Sequence, residues 1–492
     1  MELKVKLLNW STGFPVVVID ERTANKIGVP PGGRASLKSS STSKEISAIV
    51  DIASKFIRES EIGVSSEIEK MLDLKKGQKI IVSLSEPPDS LDLIKKKLNK
   101  GRLSQQEIKE IIEDVVNNSL SGPELALFVS AVYKQGMTYK ETIYLIKAIL
   151  ETGEKLSLRN KLVVDKHCIG GIPANRTTPL VVSICAAAGL TMPKSSSRAI
   201  TSAAGTADVI EAIAKVEFSN EELKKIIKKT NAFMIWGGSL GIVPADSKLI
   251  QIEKILNLDP EAHLLASIIS KKLASGSSYI LIDIPYGKTA KVDKKTAIRL
   301  KRKFEKIGNY FHKKIKVVLT DGSQPIGNGI GPELELSDIM KVFHQDEDRP
   351  LDLERKSLFL AGELLEMVKK AKSGMGFLMA KEILVSGKAL NKFKEIIEAQ
   401  KGKVRNPKLS KFKYDVLAHK SGRVREIDNK KINSLARTAG CPTYKSSGVY
   451  LYKHVGENLK KGDKILTIYS DSKIRLRQAL DFCKRHTPIK II

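Results

Sequence analysis

The run Val163-Val164-Asp165-Lys166-His167-Cys168-Ile169-Gly170-Gly171 opens on an apolar strand pair and closes on two glycines. A small-residue helix follows, Pro179 to Leu190. Strand, Gly-Gly turn and helix make one α/β step. From Lys161 to about residue 335 such steps repeat, which predicts an α/β domain. Glycines at a helix start let backbone N–H groups approach an anion. Lys166 adds a full positive charge, and Thr177 and Thr178 add hydroxyls at the helix start. A packing turn with threonine caps accounts for the same residues equally well.

The second block is Ser195-Ser196-Ser197-Arg198-Ala199-Ile200-Thr201-Ser202-Ala203-Ala204-Gly205-Thr206-Ala207-Asp208. Hydroxyls dominate it, Ile200 is its one bulky apolar residue, and it runs into a helix from Asp208 to Ala214. Hydroxyls, free N–H groups and a guanidinium at a helix start form an oxyanion cradle. A Ser-rich linker is the competing reading, but linkers rarely interrupt two apolar segments of one domain. The third block is Asp259 with Ser267, Lys271 and Lys291. Asp259 precedes Pro260, where an aspartate is also an ordinary helix cap. Ser267 and Lys271 are four apart and share a helix face.

Residues 1–85 read as a separate small β-barrel domain. A strand–helix–turn–strand pattern begins at Val16-Val17-Val18-Ile19-Asp20 and returns ~50 residues later. It is similar to double-psi barrels and carries nothing catalytic. Pro87 and Pro88 mark a linker. Residues 91–160 form a helical domain with capping boxes at Ser104/Glu107 and Thr138/Glu141, completed by a helical insertion at 245–275. Residues 161–244 and 276–405 make the α/β domain, and 406–492 a C-terminal α+β domain. The predicted fold class is therefore α/β multidomain.

The chain has 492 residues and a net charge of +29. Such charge raises nucleic-acid binding as a partner class. No RNP motif, Cys/His finger or basic zipper accompanies the lysines, so a basic RNA-binding protein is only the remote alternative. A positive field also recruits small phosphorylated molecules. Cys168, Cys185, Cys441 and Cys483 include no CxxC, which indicates neither a disulfide framework nor a zinc site. The seven histidines show no metal-ligand spacing, so no metal is expected. The run Gly327, Gly329, Gly331 lacks both dinucleotide and P-loop spacing. MELKVKLLNW has no apolar core of signal-peptide length, and Leu180–Leu190 is too short to span a membrane. The expected compartment is the cytoplasm.

The three blocks together resemble the thymidine/pyrimidine-nucleoside phosphorylase family, and within it the archaeal branch that acts on nucleoside monophosphates. The resemblance runs over nearly the whole chain. KHCIGG at 166–171 is similar to the family's phosphate loop, SSSRAITSAAGTADVIE at 195–211 to its signature, and ASIISKKLASG at 266–276 to its base-binding helix. The resemblance implies a pentosyltransferase that splits AMP with phosphate into adenine and ribose 1,5-bisphosphate, with CMP and UMP as further substrates. It implies no cofactor, with inorganic phosphate as co-substrate, and a homodimer or larger homo-oligomer.

Carried over by position, the resemblance implies that Lys166, Thr177, Ser196 and Thr206 hold phosphate, and that Gly171, Ser197, Arg198, Ala199, Ile200, Thr201, Ser202, Thr206, Ser267 and Lys291 surround the nucleotide. Asp259 is the implied proton donor, with His167 and Lys271 as further candidates. Three departures stand out. Cys168 replaces the family's serine, and a thiol is the weaker donor. Ile252-Glu253-Lys254 replaces a segment whose Arg holds a pyrimidine. Ser197 replaces a glycine and adds a hydroxyl. The last two favour a nucleotide over the alternative substrate, a pyrimidine nucleoside.

Overall fold

Six strands close into an N-terminal barrel: β1 (Glu2–Leu7), β2 (Val16–Ile19), β3 (Arg34–Ser39), β4 (Glu45–Ile52), β5 (Glu61–Val64) and β6 (Lys79–Leu84). Their order is β1-β5-β2-β4-β3-β6. β1 pairs with β5, and β2 with β4, in parallel, and the other pairs are antiparallel. Two short helices, α1 (Glu21–Ile27) and α2 (Ser66–Leu72), complete the repeated pattern of the sequence as β2–α1–β3 and β5–α2–β6. Both helices end in a left-handed residue, Gly28 and Asp73, so each turns sharply back to its next strand. The interior is aliphatic, built on Val17, Ile19, Leu37, Val50, Ile62 and Val82.

This computed structural model describes residues 1–39, 44–156, 158, 162–199, 202–241 and 243–492. Lys161, Ile200 and Thr201, all named above, lie outside the described residues. The chain divides into two compact units, Met1–Glu154 with Val243–Ser270, and Lys155–Ile242 with Lys271–Ile492.

In the first unit the barrel is joined by α3 (Ser90–Leu98), α4 (Gln105–Asn117), α5 (Gly122–Gln135) and α6 (Tyr139–Glu151). Both capping boxes are formed: Ser104 accepts from the Glu107 N–H, and Glu107 accepts from the Ser104 N–H at 2.7 Å. Thr138 and Glu141 repeat it. Glu141 is also buried against Lys97 at 2.8 Å. The insertion is two helices, α10 (Pro244–Leu256) and α11 (Glu261–Ala274), divided just before Pro260. Asn257 turns left-handed at φ 52°, and Pro260 lacks the N–H a continuing helix requires. Lys248 of α10 donates to the carbonyls of Val115 and Val116 at 3.0 and 2.7 Å, satisfying the C-terminus of α4.

The second unit is built on parallel strands. β11 (Lys314–Asp321), β10 (Tyr279–Tyr286) and β7 (Val164–Cys168) form one sheet in that order. β8 (Met192–Ser196) pairs with β9 (Ala232–Trp236). A single parallel bridge, Val163 to Thr191, links β7 to the start of β8. All five strands therefore point the same way, and their carboxyl ends carry Cys168, Ser196, Trp236, Tyr286 and Asp321. Between them run α7 (Thr177–Ala187), α8 (Thr206–Ile210), α9 (Asn220–Thr230) and α12 (Lys294–Tyr310). The helix placed at Asp208–Ala214 by sequence is α8, which starts two residues earlier and ends at Ile210.

α7 is buried from Thr177 to Ala186. It shares one core with α13 (Pro332–His344), α14 (Leu351–Met367), α15 (Gly376–Val385) and α16 (Lys388–Ala399). The C-terminal strands are β12 (Gly329–Ile330), β13 (Phe412–Leu417), β14 (Gly422–Ile427), β15 (Gly448–Leu451), β16 (Asn458–Leu459), β17 (Lys464–Ser470) and β18 (Ile489–Ile491). They form two sheets, β12-β15-β17-β13 and β16-β14-β18. α17 (Asn429–Ala439) and α18 (Lys473–His486) pack with them. The shared core takes in Ala174 and Ala203, two loop residues that follow β7 and β8. Among the described residues no helix is long and apolar enough to cross a membrane, and all four cysteines are free.

Candidate active site

In open parallel sheets ligands settle beyond the carboxyl ends of the strands, and most of the candidate residues gather there. Lys166 and Cys168 lie inside β7, not in the turn after it, because β7 pairs with β10 as far as Cys168 opposite Asp283. Alternation along the strand sends Lys166 and Cys168 to one side and Asp165 and His167 to the other. Lys166 is fully buried and donates to Thr177 Oγ1 at 2.6 Å. Burial lowers its pKa, opposed by Cys168 and Asp283 and aided by Lys356 and Arg176. Asp283 is itself held by Thr320 at 2.6 Å and by Lys356 at 3.1 Å. Lys166 thus reaches the strand end with a hydroxyl as its close contact rather than a carboxylate.

Gly170 and Gly171 have φ of 88° and 92°, a backbone that L side chains resist. At Gly171 a Cβ would also lie 2.9 Å from Lys291 Cβ, so the loop after β7 and the loop after β10 meet at that point. Beside Lys291 is a cavity of about 500 Å³, lined among others by Tyr286, Lys288, Lys291, Asp293 and Lys294. Its lining mixes lysines with Asp293, and Lys288 is paired with Glu426 at 2.8 Å. The Cys168 thiol accepts from Asn175 Nδ2 at 3.4 Å, and burial pushes its pKa up. It stays a thiol, not a thiolate.

The second block divides. Ser195 and Ser196 belong to β8, and Ser197 to Ala199 lie against Gly205. A Cβ at Gly205 would meet the Ser197 carbonyl at 2.4 Å, so only glycine fits there. Asp208 clamps the loop by accepting from the N–H groups of Ala199 and Gly205, both at 2.7 Å. Ser202 donates to the Ala204 carbonyl at 2.7 Å. Ser196 Oγ is buried and has no hydrogen-bond partner among the described residues. Arg198 is engaged elsewhere: it is bidentate on Glu211 at 2.8 and 2.7 Å and lies over the Trp236 ring. The hydrogen bonds to Glu211 raise its pKa.

The guanidinium nearest the cradle is one that the sequence motifs do not include. Arg176 donates to Thr206 Oγ1 at 2.8 Å, to the Ala204 carbonyl at 2.7 Å and to Glu335 at 2.6 Å. It is nearly buried, and so is Glu335, whose pKa burial raises. Its position beside Thr177 is the one sequence signal that could have found it.

On the opposite side of β7 lies a buried charge cluster. Asp165 pairs with Lys272 at 2.7 Å and with Lys194 at 3.5 Å. Burial lowers the Lys272 pKa against the pull of Asp165. His167 is held neutral, first by burial and then by Lys272, Lys194, Lys271 and Lys166. His167 and Lys271 therefore share one environment, and Lys166 and Cys168 another. Asp259 and Ser267 belong to the first unit. Asp259 stands in the break between α10 and α11, and Ser267 lies on α11.

Residues 91–153 match the helical bundle domain of a glycosyl transferase family, and residues 160–390 its a/b domain. Residues 423–490 match the pyrimidine nucleoside phosphorylase C-terminal domain. The AMP phosphorylase of Thermococcus sibiricus is 41% identical over 100% of this chain and 98% of its own. A Legionella pneumophila (strain Corby) protein with a thymidine phosphorylase name is 42% identical over 90% of this chain and 85% of its own. In fold, the crystal structure of anthranilate phosphoribosyltransferase from Thermus thermophilus is similar at a TM-score of 0.54. It is 18% identical, and the match covers 63% of this chain and 100% of that one. On the three domain matches and the full-length identity, the chain belongs to the thymidine/pyrimidine-nucleoside phosphorylase family, in the company of the AMP phosphorylases.

Proposed function

We propose that the protein cleaves nucleoside 5′-monophosphates by phosphorolysis, with AMP as its main substrate and CMP and UMP as further ones. The carrying observation is the full-length identity to AMP phosphorylases. The site chemistry agrees with it. Lys166 and Thr177 meet at 2.6 Å, and the buried Ser196 hydroxyl at the end of β8 has no hydrogen-bond partner among the described residues; both support a seat for inorganic phosphate. The lysine-lined recess at Lys291 supports a second seat, for the phosphate the nucleotide already carries.

A phosphate oxygen attacks the anomeric carbon and the C–N bond to the base breaks. The bonding pair leaves on the base, and Asp259 supplies the proton that neutralises it. The products are free base and ribose 1,5-bisphosphate. The cradle fixes the nucleophile and offsets its charge. No electrons are exchanged with a third party, and inorganic phosphate is the co-substrate. His167, neutral, contacts the sugar or base, and Gly171, Ser197 and Ser202 border the nucleotide. The working form is a homodimer or a larger homo-oligomer in the cytoplasm.

The test is release of free base from AMP, CMP, UMP, thymidine and uridine in the presence of phosphate. Turnover of the monophosphates supports the reading. Turnover confined to the unphosphorylated nucleosides transfers the assignment to a pyrimidine-nucleoside phosphorylase. Salt-sensitive RNA binding with no base release from any of them overturns both.

A further inference from the structure

α17 presents three polar residues at one-turn spacing, Asn429, Asn433 and Arg437, each four apart and so on one face. Each bonds to a different part of the strand-end loops. Asn429 Nδ2 donates to Thr289 Oγ1 at 3.0 Å, in the loop after β10, and to the Gly322 carbonyl at 2.9 Å, after β11. Asn433 Oδ1 accepts from the Ala203 N–H at 2.8 Å, in the loop after β8, and its Nδ2 donates to the Gly171 carbonyl at 3.4 Å, after β7. Arg437 Nη2 donates to the Ser202 carbonyl at 3.1 Å. Asn429 and Asn433 are buried, and Arg437 is exposed.

A buried amide is costly unless its groups are paired. Both groups of the Asn433 amide are paired with main chain, and Asn429 Nδ2 with one hydroxyl and one carbonyl, while Asn429 Oδ1 has no hydrogen-bond partner among the described residues. The core agrees: Ala174 and Ala203 are buried with Ile432, Leu435 and Ala436 of the same helix. Asn433 bonds to both loops of the proposed phosphate seat through their main chain.

We infer that α17 is a clasp for the active-site loops, and that Asn433 is a positioning residue that sets the loop after β8 against the loop after β7. The inference rests on reading those loops as the phosphate and nucleotide cradle. Without Asn433 the loops keep their sequences and lose their mutual register, so the seat for phosphate loosens.

The experiment uses the whole protein with three substitutions, Asn433→Ala, Asn433→Leu and Arg437→Ala. Inorganic phosphate is titrated calorimetrically, so the readout does not depend on turnover. Amide hydrogen exchange is followed at 169–176, 202–206 and across α7. Both Asn433 variants are expected to weaken phosphate binding about tenfold, with faster exchange in the two loops and unchanged exchange in α7. Agreement between Ala and the similarly sized Leu assigns the effect to the lost hydrogen bonds rather than to a cavity. Arg437→Ala, on the surface, folds in any case. It is expected to weaken AMP binding severalfold and leave phosphate binding intact. Faster loop exchange with wild-type phosphate binding in the Asn433 variants, or wild-type AMP binding in Arg437→Ala, overturns the clasp. Failure of the wild-type protein to release any base overturns the proposed reaction instead, and leaves the calorimetric comparison to judge the clasp.

Discussion

Arg176, just before α7, donates to Thr206, the first residue of α8, across 2.8 Å. One guanidinium thus ties together the two segments of the proposed phosphate seat, and it is anchored from behind by Glu335. Arg176→Ala leaves a buried carboxylate without its cation. Removal of one partner from a buried pair costs about 3–5 kcal/mol. The expected result is a lower Tm together with a large loss of phosphate affinity. Arg176→Lys is expected to restore little of either, because a single ammonium cannot reach Thr206, Ala204 and Glu335 in the same fork. Thermal melts and KM for phosphate check this.

Lys166 gives a pH signature. Burial lowers its pKa in the free protein, and the ammonium form is the one that holds phosphate. As pH rises through the lowered value the cation is lost, so KM for phosphate climbs on the alkaline side. Inorganic phosphate is already a dianion there and contributes no change of its own. Lys166→Arg, which keeps its charge, is expected to bind phosphate less well but with a flat alkaline profile. A wild-type KM as flat as that of the variant contradicts the assignment.

Asp259→Asn removes the proposed acid. General acids contribute about 10²–10⁴-fold, and kcat for AMP is expected to fall within that range. The loss should shrink sharply for a nucleotide with an N7-methylated purine, whose base departs without needing a proton. Equal losses on both substrates argue that Asp259 acts in some other way.

Cys168→Ser converts a weak donor into a hydroxyl at the end of β7, next in sequence to the proposed phosphate seat. A hydrogen bond of ~0.5–1.5 kcal/mol corresponds to a severalfold lower KM for phosphate. The same substitution should abolish any inhibition by thiol-alkylating reagents that acts at this site.

Gly171→Ala adds a methyl where φ is 92° and Lys291 Cβ would lie 2.9 Å away. Strain of ~1–3 kcal/mol is expected, expressed chiefly as a raised KM for AMP, since Lys291 is the residue displaced.

Local signals in the sequence are strong wherever the structure obeys local rules. Ser104 with Glu107 and Thr138 with Glu141 are capping boxes in both readings. The repeated strand–helix–turn–strand pattern becomes a closed barrel. The Gly170-Gly171 turn is legible because two consecutive left-handed residues leave few alternatives to glycine. Other features depend on distant partners and leave no local trace. The bond from Ala203 to Asn433 spans 230 residues, and the bond from Arg176 to Glu335 spans 159. Arg198 stands out in the sequence for its charge, but Glu211 claims it in the fold. Ser195 and Ser196 open the hydroxyl-rich block of the sequence. Pairing with Ile235 and Trp236 places them in a strand.

α7 carries Thr177 at its first residue and is buried along nearly its whole length. Segments with no face toward water open only when the domain as a whole opens. Its amides are therefore expected to be among the last in the protein to exchange with deuterium. One wall of the proposed phosphate seat is thus fixed to what is expected to be the slowest-opening part of the molecule. On warming, the loops around the substrate will begin to fluctuate well before the hydroxyl beneath it shifts.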